Sequence, residues 1–175
     1  MTNYFIVPGL GNSGEEHWQT YFEKSGNNFK RIIQKEWDAP YCNDWVSTID
    51  KVISAYDPAT VILIGHSLGC STIAHWANLC NKKIKGALLV APSDIELPRY
   101  TFPAKGFTPI PVSKINFRTI VVASTDDEWV SIERAKLFAA NWGSDFINIG
   151  NAGHINAASG YGQWQQGLEI LKTLG

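Results

Sequence analysis

One stretch constrains the fold more than any other: Thr60-Val61-Ile62-Leu63-Ile64-Gly65-His66-Ser67-Leu68-Gly69-Cys70. Aliphatic residues without polar alternation read as a strand buried on both faces, and such strands belong to parallel sheets covered by helices. The run enters Gly-His-Ser-Leu-Gly, and a helix-compatible segment, Ser71 to Leu79, follows at once. Strand, tight turn and helix with a serine at the apex is the context in which G-x-S-x-G forms a nucleophile elbow. The turn strains the serine backbone and lifts its hydroxyl clear of the sheet edge. Gly65 and Gly69 suit the crowding of strand and helix past that turn. Leu68 then offers a backbone N–H at a helix N-terminus, where partial positive charge favours a developing oxyanion. The competing reading is a serine that only caps the helix; the flanking strand and helix favour the elbow.

The rest of the chain repeats the strand–helix alternation. Tyr4 to Val7 reads as a first strand, closed by the glycine-rich Pro8–Gly14 loop, which matches neither phosphate-binding fingerprint. Ser13 and Glu16 have capping-box spacing, which predicts a helix from there to about Lys24 that buries Trp18, Tyr21 and Phe22. Phe29 to Trp37 is a weaker, partly charged strand, expected near a sheet edge. Asn43 is placed to cap a helix carrying Trp45, Ile49 and Val52 on one face, which Asp57-Pro58 ends. Beyond the elbow helix, Lys85 to Ala91, Arg118 to Ala123 and Asp145 to Ile149 supply three more strands. Ser131 caps a helix with Ile132, Ala135, Phe138 and Trp142 on one side, and a last helix spans about Tyr161 to Leu174. Between them, residues 93–116 hold Pro98, Pro103, Pro109 and Pro111 with Tyr100, Phe102 and Phe107 and show no periodicity. They read as a short lid or pocket wall, or as a plain surface loop. The expectation is an α/β chain, residues 1–175 forming one domain around a doubly wound parallel sheet of about six strands with helices on both faces.

Composition narrows the function. Charged residues make up 18% of the chain and the formal net charge is −1, with Lys and Arg dispersed, so nothing marks a nucleic acid or an anionic membrane as partner. No apolar stretch approaches the roughly 20 residues of a membrane span, and the N-terminal apolar run is too short and unbasic for a signal peptide. Three cysteines, Cys42, Cys70 and Cys80, form no CxxC pair, which suits reduced thiols and a cytoplasmic location. Cys70, inside the helix after the elbow, reads as a packed small apolar residue rather than a nucleophile.

Three polar positions fall just beyond the C-terminal ends of three strands: Ser67, Asp126 or Asp127, and His154. Open α/β sheets place their sites at those ends, and Ser…Asp…His is the order expected of an α/β-hydrolase. The chemistry needs each type. A serine hydroxyl is a weak nucleophile, an imidazole must take its proton, and a carboxylate must hold that imidazole's tautomer and stabilise its cation.

These residues resemble the α/β-hydrolase superfamily, and more narrowly the small serine hydrolases related to retinoblastoma-binding protein nine and the bacterial YdeN proteins. The resemblance rests on Ile6-Val7-Pro8-Gly9 with His17-Trp18, on Gly65-His66-Ser67-Leu68-Gly69, on Ser124-Thr125-Asp126-Asp127 and on Gly153-His154, and so runs nearly the length of the chain. It implies an α/β-hydrolase fold and Asp127 as the acid, since Asp127-Glu128-Trp129-Val130 fits the family spacing. It also implies Leu68 and a residue after the first strand, Leu10 or Gly11, as oxyanion donors. The activity implied is hydrolysis of carboxylic esters, or related thioesters or amides, through an acyl-enzyme, without metal or organic cofactor. The expected partner is a small acyl substrate. A protein-interaction role with little turnover, or a cofactor-free lyase or perhydrolase, are the alternatives. His17 and Trp129 are candidates for the substrate pocket, His17 reaching it from a helix N-terminus and Trp129 from beside the acid.

Overall fold

The computed structural model describes all 175 residues. The elements follow in the order β1 (Asn3–Val7), α1 (Trp18–Lys24), β2 (Phe29–Arg31), α2 (Cys42–Ile53), β3 (Val61–His66), α3 (Leu68–Cys80), β4 (Gly86–Val90), β5 (Arg118–Ala123), α4 (Ile132–Trp142), β6 (Asp145–Asn148) and α5 (Gln165–Lys172). The strands form one six-stranded sheet in the order β2-β1-β3-β4-β5-β6, every neighbouring pair parallel.

β3 and β4 are buried along their whole length, as their aliphatic sequences require. Their alternate residues enter two cores. Val61 and Leu63 face Trp45 and Ile49 of α2, Ile73 and Trp76 of α3, and Phe138 and Trp142 of α4. Ile62 and Ile64 face the opposite way, onto Trp18 and Phe22 of α1 and Trp164 and Leu171 near and within α5. Burying one such side chain is worth about 1.5–3 kcal/mol, so the two-sided packing fixes the register of the central strands. That register pairs Val7 with Gly65, His66 with Val90 and Ala123 with Asn148, which brings the C-terminal ends of β1, β3, β4, β5 and β6 to one edge. No helix is long and apolar enough to cross a membrane.

Element boundaries differ from the sequence reading in informative places. α1 begins at Trp18 with His17 as its N-cap, because Ser13 is buried and spends its hydroxyl on Gln19 Oε1 at 2.7 Å instead of capping. α2 begins at Cys42, before Asn43. Its first amide donates to the Lys105 carbonyl at 2.9 Å, so a distant segment does the work of a cap. β2 is three residues long because the chain turns inward after Arg31, burying Ile32 and Gln34. α5 is shorter than expected, since Gly160 turns left-handed and the Tyr161 carbonyl accepts the Trp18 amide at 3.0 Å.

Residues 93–116 hold no helix or strand but are tied down along their length. Phe107, Ile110 and Ile115 are buried in the larger core. His75 Nε2 lies 2.8 Å from the Phe107 carbonyl, and Trp142 Nε1 donates to the Pro111 carbonyl at 2.7 Å. Glu96 accepts the Ile110 amide at 2.9 Å, and Arg134 pairs with both Glu96 and Asp94.

Candidate active site

Ser67 is the residue between β3 and α3, with φ 55° and ψ −124°. This backbone is costly for a residue with a Cβ, and such strain persists only where the surroundings over-determine it. Here they do. A Cβ on Gly69 would lie 2.2 Å from the Val7 carbonyl oxygen and 2.7 Å from that of Pro8, so α3 starts in direct contact with the end of β1. A Cβ on Gly65 would lie 2.8 Å from Ile73 Cδ1 and 3.1 Å from the Cys70 amide nitrogen. Both glycines are there because the elbow leaves no room for more.

The hydroxyl so presented lies 3.0 Å from His154 Nε2. His154 Nδ1 in turn lies 2.9 Å from each oxygen of the Asp127 carboxylate. The Asp127 side chain is fully buried, and its Oδ1 also accepts the Trp129 amide at 2.8 Å. Asp126 points elsewhere. Its Oδ1 accepts the Ser124 hydroxyl at 2.7 Å and the Gly153 amide at 2.8 Å, and these bonds hold its carboxyl below the usual range. Asp126 thus tethers the loop that carries His154, while Asp127 faces the imidazole.

Two backbone N–H groups at the elbow are free. The Leu68 amide, at the start of α3, has no acceptor within the chain, and neither has the Leu10 amide. The Gly11 amide, by contrast, donates to the Trp37 carbonyl at 2.9 Å. Of the two candidates after β1, only Leu10 has a donor to offer. Gly9 brings this loop against Ser67, for a Cβ there would sit 2.8 Å from Ser67 Cβ.

These groups open into a cavity of about 470 Å³ lined by Leu10, Gly11, Asp38, Ser67, Ser93, Tyr100, Phe102, Trp129 and His154. Trp129 forms part of its wall, packed against Phe102 and Tyr100 with ring centroids 5.4 and 6.0 Å away, and the Arg99 guanidinium covers its ring at 5.1 Å. Burial pushes the Tyr100 phenol up to about 12. His17 does not line the cavity, contrary to expectation. Its Nδ1 accepts the Gln19 amide at 3.2 Å as the cap of α1, and its ring packs on His66 at 4.7 Å, behind the site. The late start of α1 is the cause, because it converts His17 from a projecting helical residue into a buried cap.

His66 stands between His17 and His154. Its Nε2–H donates to the His154 carbonyl at 2.9 Å, and its ring centroid lies 4.9 Å from that of His154. Burial, with the neighbouring imidazoles, drives His66 well below its ordinary value, and burial together with Arg31 and His154 lowers His17 to about 4. Cys70 is fully buried with its thiol on the Val90 carbonyl at 3.3 Å, and burial raises its pKa far out of the reactive range.

Asp38 had no place in the sequence reading of the site, and Ser93, Tyr100 and Phe102 entered it only as members of residues 93–116, read as a lid, a pocket wall or a plain loop. Ser93 stands just past the end of β4, the strand beside the elbow, but that position alone does not separate it from a turn residue. For the aromatic wall the sequence offered the residues but not their placement, because only the path of residues 93–116 across the sheet edge brings them to the cavity.

A parallel sheet with helices on both faces, a strained serine after β3 and free amides beside it define an α/β-hydrolase. The chain belongs to the serine hydrolase family, whose model matches residues 4–173, and hydrolysis is the class of reaction that membership carries. It is similar to a solved structure from Pectobacterium atrosepticum described as a YdeN-like hydrolase, at 35% identity over 99% of this chain and 90% of that one, with a TM-score of 0.88. The ydeN gene product of B. subtilis shares the fold at 19% identity and a TM-score of 0.84, covering 99% of this chain and 98% of its own. Est1E of Butyrivibrio proteoclasticus, solved with ferulic acid bound, shares it at 13% identity and a TM-score of 0.70, covering 99% and 86%. A search of curated proteins returns no match.

Proposed function

We propose that this protein hydrolyses carboxylic esters through an acyl-enzyme on Ser67, with His154 as general base and acid and Asp127 as the group that orients and supports it. The observation that carries the reading is the unbroken line from Ser67 Oγ to His154 Nε2 at 3.0 Å and from His154 Nδ1 to Asp127 at 2.9 Å. Asp127 holds the proton on Nδ1, leaving the Nε2 lone pair toward Ser67. As Oγ bonds to the ester carbonyl carbon, its proton passes to Nε2 and the carbonyl oxygen becomes an oxyanion. The free amides of Leu68 and Leu10 receive that oxyanion. Collapse expels the alcohol, which takes the proton from His154. Water then gives a proton to His154, attacks the acyl carbon, and the acid leaves as Ser67 is reprotonated.

The cavity volume of about 470 Å³ suits an ester of small or medium size. Its aromatic wall favours an apolar acyl or alcohol portion, and residues 93–116 serve as pocket wall in this reading. The mechanism calls on no metal or organic cofactor.

The test is turnover of p-nitrophenyl esters of increasing chain length by wild type and Ser67→Ala, with fluorophosphonate labelling in parallel. Ser67→Ala should lose both. Turnover and labelling that persist in the variant would overturn the assignment.

A further inference from the structure

The nucleophile has a second hydrogen-bonding neighbour. Ser93 Oγ lies 2.7 Å from Ser67 Oγ, and Ser93 is 1% exposed. Ser67 is its only hydrogen-bond partner within the chain. Ser93 is also firmly held. Ala91, with φ 48°, donates its amide to the Val122 carbonyl at 2.8 Å, Pro92 follows, and the next residue, Asp94, is pinned from two sides. Its amide donates to the Trp129 carbonyl at 2.9 Å, and its carboxylate meets Arg134 Nε at 3.2 Å. The hydroxyl therefore stands against Ser67 as part of a fixed frame at the end of β4, not as a mobile surface group.

Counting protons sets the direction of this bond. Ser67 has one hydroxyl proton, and general-base catalysis needs it on the line to His154 Nε2. Ser67 Oγ must then be the acceptor from Ser93, and Ser93 the donor.

We infer that Ser93 is a catalytic hydroxyl of this site, donating a hydrogen bond to Ser67 Oγ whenever that oxygen carries developing negative charge. The inference rests on the acyl-enzyme reading above. In acylation, the donated bond strengthens as the Ser67 proton moves to His154 and before Oγ shares its electron pair with the acyl carbon. In the acyl-enzyme Oγ is an ester oxygen and a poor acceptor, so the bond weakens. In deacylation Oγ leaves the acyl carbon with its electron pair, and Ser93 donates to it again until His154 returns the proton. Ser93 keeps its own proton throughout. A bond that strengthens with charge stabilises the transition state more than the ground state, which is the condition for raising kcat.

Ser93→Ala and Ser93→Thr, compared with wild type and Ser67→Ala, test this. Loss of a hydrogen bond to a charged oxygen should lower both kcat and the fluorophosphonate labelling rate of Ser93→Ala by roughly 10- to 100-fold. KM, the melting temperature and the acid limb of the pH–rate profile should stay close to wild-type values, because Ser93, at 1% exposure, gives the cavity little surface and the His154–Asp127 pair is untouched. Ser93→Thr keeps the hydroxyl and should recover most of the rate; it carries the test alone if the alanine variant does not fold. Ser93→Ala labelling within threefold of wild type overturns the inference. So does a loss that falls on KM or moves the acid limb, or a well-folded Ser93→Thr as slow as the alanine variant. If wild type and Ser67→Ala label alike, the acyl-enzyme reading itself has failed; if only Ser67→Ala is silent, the Ser93 result stands by itself.

Discussion

Asp126 and Asp127 are adjacent in the chain, yet one accepts the Ser124 hydroxyl and Gly153 amide while the other puts both oxygens 2.9 Å from His154 Nδ1. The difference makes opposite demands on an amide replacement. In Asp127→Asn the amide can donate to Nδ1, which moves the imidazole proton to Nε2 and leaves no lone pair for Ser67. We expect kcat to fall roughly 10³- to 10⁴-fold with folding intact. In Asp126→Asn the oxygen that accepts Ser124 and Gly153 remains, but its charge is gone, so the His154 loop is held less firmly. There kcat should stay within about tenfold of wild type and the melting temperature should drop. Equal losses of kcat in the two variants would remove the distinction. At this scale Ser67 was legible from the glycines on either side of it and His154 from its place after the last strand and the order Ser, Asp, His, while the carboxylate facing His154 was legible from the residues only to within two neighbours. Ser93 was not read, since a lone serine after a strand carries no spacing that separates it from a turn residue. The second free amide was read as Leu10 with Gly11 as its rival, and the rival is disqualified only by Trp37, far along the chain.

The elbow shows how an element's start is fixed by what it touches. α3 begins where Gly69 meets the carbonyls of Val7 and Pro8, and neither of those backbone atoms can move without disturbing β1. Gly69→Ala should therefore force α3 and β1 apart, costing about 1–3 kcal/mol or more, and should displace Ser67 from His154. Urea unfolding and fluorophosphonate labelling should both report it; wild-type stability with wild-type labelling would show that the contact yields cheaply. The six strands and their order of appearance followed from hydrophobic runs and Gly or Pro breaks, which are local properties. Helix starts did not follow as well. The caps expected at Ser13 and Asn43 are superseded by Gln19, which takes the Ser13 hydroxyl, and by the Lys105 carbonyl, which takes the first amide of α2. A capping motif competes with any better-placed partner the fold supplies, and the sequence does not list those partners. His17 was misplaced for this reason alone.

Across the molecule, His17 at α1, His66 at the end of β3 and His154 beyond β6 form a column of imidazoles with centroid spacings of 4.7 and 4.9 Å. The column couples the smaller core to the site, and it makes folding sensitive to acid. The groups facing it are Arg31, whose charge helps to lower His17, and His154, whose charge acts on both His17 and His66. Above pH 6.5 neither the folded nor the unfolded chain protonates His17. Between 6.5 and its folded value of about 4, the unfolded chain binds a proton that the folded chain excludes, so stability falls as pH falls through that window. A displacement of this size corresponds to roughly 3 kcal/mol by pH 4, and His66, lowered in the same direction, adds to it. His17→Asn retains an acceptor for the Gln19 amide and loses the titrating ring, and it also relieves the charge that lowers His66. Its unfolding free energy, from urea titrations between pH 6.5 and 4, should depend less steeply on pH by up to about 1.4 kcal/mol per unit. The slope is the quantity to read, because the lost ring contact with His66 lowers stability at every pH and leaves the slope alone. An unchanged slope would mean that the proton uptake of acid unfolding lies outside this column.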